Sequence, residues 1–453
     1  MEQKKCLYMI GVHYKYMNKL FALILLLFII VSNGYAQMKP IVINENKSVT
    51  ISYYDKNAKE VALKGTFLKK GMKFKTPAGT FGKDGTVKMK SIGNGYWIYT
   101  SEPLTSELYW YQFIVNDDSI RIDKRNPNIV RDINTIYNYF IVRGGIADKY
   151  VDVKIKGGNL RYVWYPSSIE GMKQRRMAIY TPYDYNLTKS KRYPVLYLLH
   201  GSGGDETAWA ECGRLVQIMD NMINSGLCKP MIVVMPNGNV ELAAAPGNDP
   251  ENPDIVPSGN NVSSMFGKIE KSFVPDIVNY VDSNYKTLPN KAQRAIAGLS
   301  LGGLHTLYIA LNNPKKFDYV GLFSAQTTNA LGNKSIGNIK GIAKRWSNLK
   351  KHIPFISGGG LDEKITNVVG NGTNLELEIY EDFDAKLKIL YDENPILFYI
   401  AVGNEDFTKK LNDNLREKLD ALNYKYTYNE SEGGHTWDNW RKYLVDLLPE
   451  LFN

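Results

Sequence analysis

The pattern of apolar and polar positions divides the chain into two parts with different periods. Between residues 48 and 143, apolar side chains recur at every second position in short runs, at 48–54, 60–67, 95–101, 107–116 and 137–143. A period of two puts alternate side chains on opposite faces of a strand. Short runs broken by turn residues such as Asn116-Asp117-Asp118 predict an all-β sandwich of about 100 residues. Gly144-Gly145 opens a linker that runs to Lys149, and the pattern then changes. Residues 193–199, 231–235, 319–324 and 395–402 are continuous apolar runs, as expected of strands covered on both faces. Stretches of helical period at 213–225, 274–285, 304–312, 408–422 and 437–448 alternate with them. Strands are also predicted at 150–156, 161–165, 175–181 and 294–297. Strands alternating with helices predict an α/β fold with a doubly wound sheet. Residues 241–265 and 333–392 keep neither period and are expected to be loops around a site.

The first 36 residues stand outside both parts. Met17-Asn18-Lys19, the apolar run 20–31 and Ser32-Asn33-Gly34-Tyr35-Ala36 read as the charged region, hydrophobic region and small-residue cleavage site of an export signal, with Met17 as the natural start. The apolar run is too short to span a bilayer, and no cysteine follows the cleavage site, so no membrane anchor is expected. The domain reading is a leader over 1–36, a β-sandwich over 37–145 and an α/β domain over 146–453.

The formal charge of +10 is mild once the basic leader is set aside. It forms no Lys/Arg cluster of the kind that binds nucleic acid. Beyond the leader only Cys212 and Cys228 remain, at the two ends of the helical stretch 213–225. A continuous helix would hold them about 20 Å apart, so separate thiols are expected rather than a disulfide. No Cys/His grouping has zinc spacing. The 31 tyrosines are the one compositional excess. Trp97, Tyr99, Trp110 and Tyr111 can fill the sandwich core or a domain interface, which is the favoured reading, or stack on sugar rings.

Chemistry concentrates at Gly298-x-Ser300-x-Gly302. A strand ending at Ala297 and a helix beginning near Leu304 leave room only for a sharp turn, which small residues on either side of Ser300 permit. A serine hydroxyl needs a base within hydrogen-bond reach. Of the five histidines, His13 lies in the leader, His200 in a strand-to-loop turn, His305 on the elbow helix and His352 in the irregular 333–392 stretch. His435, in Glu432-Gly-Gly-His-Thr-Trp437 just ahead of the last helix, is the expected base. An acid to orient it should end the strand at 395–402, where Glu405 and Asp406 both qualify. Backbone N–H groups of Leu301 and Ser202 are the candidate oxyanion donors, since Gly201, Gly203 and Gly204 let the backbone approach a substrate closely. His200 is expected to hold that loop by a side-chain hydrogen bond. No step needs a metal or an organic cofactor.

Two resemblances add to this reading. The opening strand 49–53, Gly95-Tyr96-Trp97, the strand 109–115 with Asp117-Asp118 behind it and Asp123-x-x-Asn126-Pro127 resemble the early-set, immunoglobulin-like modules found ahead of catalytic domains in glycogen-branching enzymes. Tyr180-Thr-Pro182, residues 193–204 with Trp209, Met235-Pro-Asn-Gly238, residues 298–303, 403–407 and Gly433-Gly-His-Thr-Trp-Asp-Asn-Trp-Arg441 resemble, in order, the esterase D-like branch of the α/β-hydrolases. That branch includes feruloyl and acetylxylan esterases. The second resemblance implies an α/β-hydrolase fold with Ser300, His435 and Asp406 as catalytic residues. It implies an exported serine esterase acting on a polysaccharide-linked or small ester, with ferulate or a related hydroxycinnamate on xylan as first choice. Acetylxylan, a siderophore trilactone, or a non-catalytic polysaccharide-binding role are the alternatives. Residues 333–392 match neither pattern.

Overall fold

The computed structural model describes residues 38–68, 73–76, 79–82, 85–116, 119–250, 266–327 and 377–453. The leader, His352 and most of the two expected loops lie outside these residues. Eight strands of the second half form one sheet: β1 (Asn159–Pro166), β2 (Gln174–Thr181), β3 (Val195–Leu199), β4 (Ile232–Pro236), β5 (Arg294–Leu299), β6 (Tyr319–Phe323), β7 (Leu397–Gly403) and β8 (Thr427–Ser431). Their spatial order is β1-β2-β4-β3-β5-β6-β7-β8. The β1–β2 and β2–β4 pairs are antiparallel, and every later pair is parallel.

Every residue of β3 to β6 is buried, and the continuous apolar runs are the cause. Alternate side chains feed two separate cores. Tyr197, Leu199, Ile296, Val320 and Leu322 face α2 (Leu301–Asn312), together with the helical run 268–284. Leu196, Leu198, Ala295, Ala297 and Phe323 face α1 (Leu215–Asn224) and α4 (Trp437–Leu447). Residues 301–311 of α2 are all buried, as an apolar helix enclosed on every side must be. The chain leaves β3 with β4 on one side and β5 on the other. The loops after β3 and β5 therefore lie side by side at the carboxyl ends of the strands, where ligands of such sheets bind.

Among the described residues the front region holds two larger antiparallel sheets and a two-stranded one, Lys73–Thr76 with Gly79–Gly82. One of the larger sheets orders Ile41–Ile43, Val49–Tyr54, Tyr96–Thr100 and Lys90–Gly93, and the other orders Ile129–Asp132, Thr135–Val142, Glu107–Val115, Val61–Gly65 and Gly85–Lys88. Val49 and Ile51 from the first share a core with Leu63, Tyr111, Phe113, Phe140 and Val142 from the second, and Trp97 and Tyr99 pack against it. Asn126 of the expected turn donates to the Tyr111 hydroxyl (2.9 Å) and the Tyr139 carbonyl (3.1 Å). Trp110 and Tyr137, stacked 5.2 Å apart, belong instead to the core that contains Trp209 and Leu215. The two parts thus share an apolar seam.

Three expectations change. Residues 150–156 form no strand, because helix side chains satisfy that backbone: Asn221 Nδ2 donates to the carbonyls of Lys149 (2.9 Å) and Val151 (3.0 Å). The helix expected over 213–225 is present as Leu215–Asn224 but starts two residues late, because Arg214 ahead of it has a left-handed φ of 56°. Its guanidinium crosses the seam to the Tyr139 hydroxyl (3.2 Å) and also donates to the Tyr150 carbonyl (3.2 Å) and Asp152 (2.6 Å). The end of the 333–392 stretch is a helix, Phe383–Asp392, with Leu387 and Leu390 buried. Cys212 and Cys228 are both free, and Cys212 is buried. No helix among the described residues is long and apolar enough to cross a membrane.

The Arg441–Glu107 ion pair crosses the seam with its cation buried. Arg441, 1% exposed, donates to Glu107 Oε1 (2.9 Å) and to the Cys212 carbonyl (2.8 Å). Removing the carboxylate strands a buried cation, which costs about 3–5 kcal/mol. Glu107→Ala should lose stability on that scale in denaturant titrations, and a loss below about 1 kcal/mol would mean that solvent screens the pair.

Candidate active site

Ser300 sits between β5 and α2 with φ 54° and ψ −116°, a conformation costly for a residue with a side chain. The surroundings hold it there. Its N–H donates to the Phe323 carbonyl of β6 (2.9 Å), and its carbonyl accepts from the N–H groups of Gly303 and Gln326 (3.1 Å each). The flanking glycines are sterically required. A Cβ at Gly298 would overlap the Gly302 carbonyl, and one at Gly302 would lie 2.8 Å from the Leu199 carbonyl oxygen. The elbow therefore packs directly against the end of β3.

Two further sequence-selected residues reach this point from the far side of the sheet. His435, in the loop between β8 and α4, places Nε2 2.8 Å from Ser300 Oγ. Its Nδ1 is 3.0 Å from each carboxylate oxygen of Asp406, which follows β7. With Nδ1 donating to Asp406, Nε2 is left to accept the serine proton. Phe407 and Trp440 pack on the imidazole, with ring centres 4.3 and 4.9 Å away. Asp406 also accepts from the N–H and hydroxyl of Thr408 (2.8 Å each). Burial alone would raise the Asp406 carboxyl. The His435 charge, with hydrogen bonds from His435, Thr408 and Ser324, outweighs burial and holds it below its ordinary value. Glu405 is exposed, and its own N–H donates to the Gly433 carbonyl (2.9 Å), tying the acid loop to the histidine loop.

The loop after β3 closes the other side. A Cβ at Gly201 would lie 3.2 Å from the Ser300 Cβ, so Gly201 and Ser202 run beside the serine. Leu301 begins α2, where first-turn N–H groups have no partner within the helix. His200 is buried, with Nδ1 2.8 Å from the Gly201 carbonyl and Nε2 accepting from the Gly238 N–H (2.8 Å). Burial holds the imidazole down at about 4, against an ordinary value near 6.5. Protonation would set an N–H against the Gly238 N–H.

A depressed pKa makes this a stabilising group at neutral pH whose contribution is lost as acid is added. The loss begins near pH 6.5 and is complete below about pH 4, amounting to about 3 kcal/mol. His200→Gln removes the titration. The stability difference between pH 7.5 and 4.5, read from denaturant midpoints, should shrink by most of that amount. An unchanged difference would place the acid sensitivity elsewhere.

Several supporting residues have no role assigned from the sequence. Ser324 (φ 46°) accepts from Trp440 Nε1 (3.1 Å) behind the acid, and Trp209 Nε1 donates to the Leu199 carbonyl beneath the elbow (3.0 Å). Thr408, expected as a helix start, also holds the acid in place. His305 is buried on the elbow helix with its Nε2 3.9 Å from Glu270. Among the described residues, no group of three or more His, Cys, Asp or Glu could hold a metal ion.

A family model described as "Putative esterase" matches residues 170–451, a span that contains all three side chains of the relay. The chain belongs to this esterase family. It is 35% identical over 263 residues to an endo-1,4-beta-xylanase/feruloyl esterase of Xylanibacter ruminicola, a match covering 55% of this chain and 33% of that protein. It is 26% identical over 262 residues to an acetyl esterase of Caldicellulosiruptor saccharolyticus, covering 57% of this chain and 83% of the relative. Among solved structures, the enterobactin esterase of Shigella flexneri shares the fold at a TM-score of 0.57 and 15% identity, over 93% of this chain and 98% of that one. That coverage takes in front-region residues as well as the esterase part.

Proposed function

We propose that the chain is an exported serine carboxylic-ester hydrolase that releases ferulate or a related hydroxycinnamate from plant xylan. The observation that carries this reading is the hydrogen-bonded series from Ser300 Oγ through His435 to Asp406 at the carboxyl ends of the strands. His435 takes the Ser300 proton as Oγ attacks the ester carbonyl, and Asp406 steadies the imidazolium that forms. The N–H groups of Leu301 and Ser202 receive the negative oxygen. His435 then protonates the departing sugar oxygen, and a water activated by the same imidazole frees the acid from Ser300. The family membership and the feruloyl esterase name of a relative support the acyl choice. The leader over 1–36 supports export, and the two facing sheets of 37–145 support an immunoglobulin-like, early-set front module.

A second reading has its own support. The acetyl esterase relative and the enterobactin esterase fold suit removal of acetate from xylan or opening of an aryl-substituted trilactone. Ranking kcat/KM across methyl ferulate, methyl p-coumarate, methyl sinapate, acetylated xylan and a catecholate trilactone decides between the two. The first reading expects the methyl hydroxycinnamates to lead. Preference for acetyl esters or the trilactone would replace it.

A further inference from the structure

The front domain reaches the site with one turn. Strand Ile129–Asp132 and strand Thr135–Val142 pair as a hairpin, and the turn between them meets the loop that follows β3. Arg131 Nη2 donates to Asp205 Oδ2 (2.9 Å) and Thr207 Oγ1 (2.7 Å), and Nη1 donates to the Ile133 carbonyl at the tip (2.8 Å). Asp205 is buried, 3% exposed, and its Oδ1 also accepts from the Thr207 N–H (2.9 Å) and hydroxyl (2.6 Å). Gly203 has a left-handed φ of 79°, and a Cβ there would lie 3.0 Å from Ile133 Cδ1. The short segment 201–204 beside Ser300 is therefore pinned at one end by His200 and at the other by Asp205. Ile133 covers its flank.

The same turn touches the base side. Trp437 Nε1, two residues beyond His435, donates to Asp132 Oδ1 (3.2 Å). The Trp437 ring packs edge-on against Trp440 (5.1 Å), which packs edge-on against His435 (4.9 Å).

We propose that Arg131 is a positioning residue for ester hydrolysis: through Asp205, the front domain fixes the loop whose Ser202 N–H receives the oxyanion. The proposal rests on the esterase reading above. A misplaced oxyanion donor weakens only what forms in the transition state, so the loss falls on kcat rather than on ground-state binding. Removing one such donor outright costs 10²- to 10³-fold, and a loop freed at one end should lose part of that.

The test uses the full chain with methyl ferulate. Arg131→Ala should lower kcat about 10- to 100-fold while KM changes less than about threefold. An aryl trifluoromethyl ketone, which forms an oxyanion on Ser300, should lose inhibition in proportion to kcat/KM. Free ferulate as a competitor should not. Arg131→Lys keeps the charge without the fork and should recover part of the rate. The pair Arg131→Met with Asp205→Asn guards against misfolding, because it leaves no unpaired buried charge. It should regain thermal stability yet keep the low kcat. Wild-type kcat in the double variant, or in a folded Arg131→Ala, overturns the proposal. A fluorophosphonate probe separates the two levels of the argument. Labelling of wild-type Ser300 with unaffected Arg131 variants removes this proposal alone, whereas a wild-type chain that neither labels nor hydrolyses esters removes the esterase reading and this proposal together.

Discussion

Ser300→Ala is expected to fold normally and to lose about 10⁴-fold or more in kcat, leaving only what the oxyanion donors and substrate binding supply. Folding should survive because the Ser300 backbone, not its hydroxyl, makes the bonds to Phe323, Gly303 and Gln326. Alanine also keeps the Cβ that the elbow already accommodates. His435→Ala should match this loss, since without the imidazole the hydroxyl 2.8 Å away has no acceptor for its proton. Because the two act as one unit, the double variant should be scarcely slower than either single one. Single-turnover and steady-state rates on methyl ferulate provide the check. Turnover near wild type in either single variant would remove the relay assignment, and multiplying losses would mean that the residues act separately.

The second large effect separates two adjacent carboxylates. Asp406→Asn should cost several orders of magnitude in kcat, while Glu405→Gln should change it less than about threefold. The cause is the tautomer. Asp406 accepts from Nδ1 through both of its oxygens, and an amide presents N–H on one side, so the ring turns or shifts its proton to Nε2. Nε2 would then donate to Ser300 instead of accepting from it. Glu405 faces solvent and acts through its backbone. The reverse ranking would transfer the acid role to Glu405 and leave Ser300 and His435 in place.

Much of this was legible in the chain because the sheet is buried on both faces, so β3 to β7 read as unbroken apolar runs. Ser300, His435 and Asp406 were legible because each sits where a strand stops and polar or glycine residues begin. The β8 strand, Thr427–Ser431, was missed because it is an edge strand of mostly polar composition with a single fully buried residue. The strand expected at 150–156 failed for the opposite reason. Its alternation is real, yet the backbone partners come from Asn221, which is distant in sequence. The late helix start at Arg214 could not be read either, since the left-handed turn there is held by contacts across the seam. Arg131 lies 74 residues from Asp205 and on another domain, and no local period carries such a contact.

The buried Arg441–Glu107 pair bears on how freely this chain could be recombined. Multidomain enzymes are often treated as strings of exchangeable parts, and a front region followed by a short linker looks like one of them. Here the linker is a turn of 3₁₀ helix, Ile146–Lys149, with Ala147 buried. The cation beyond it is complete only with a carboxylate from the other part. A different module grafted ahead of residue 146 would have to bring an acid to the place of Glu107 and an apolar face matching Trp110 and Tyr137. Without them, the graft would leave a bare guanidinium inside an open seam, and aggregation in the cell would be the first sign. For this chain the unit expected to survive such a move is the two parts together.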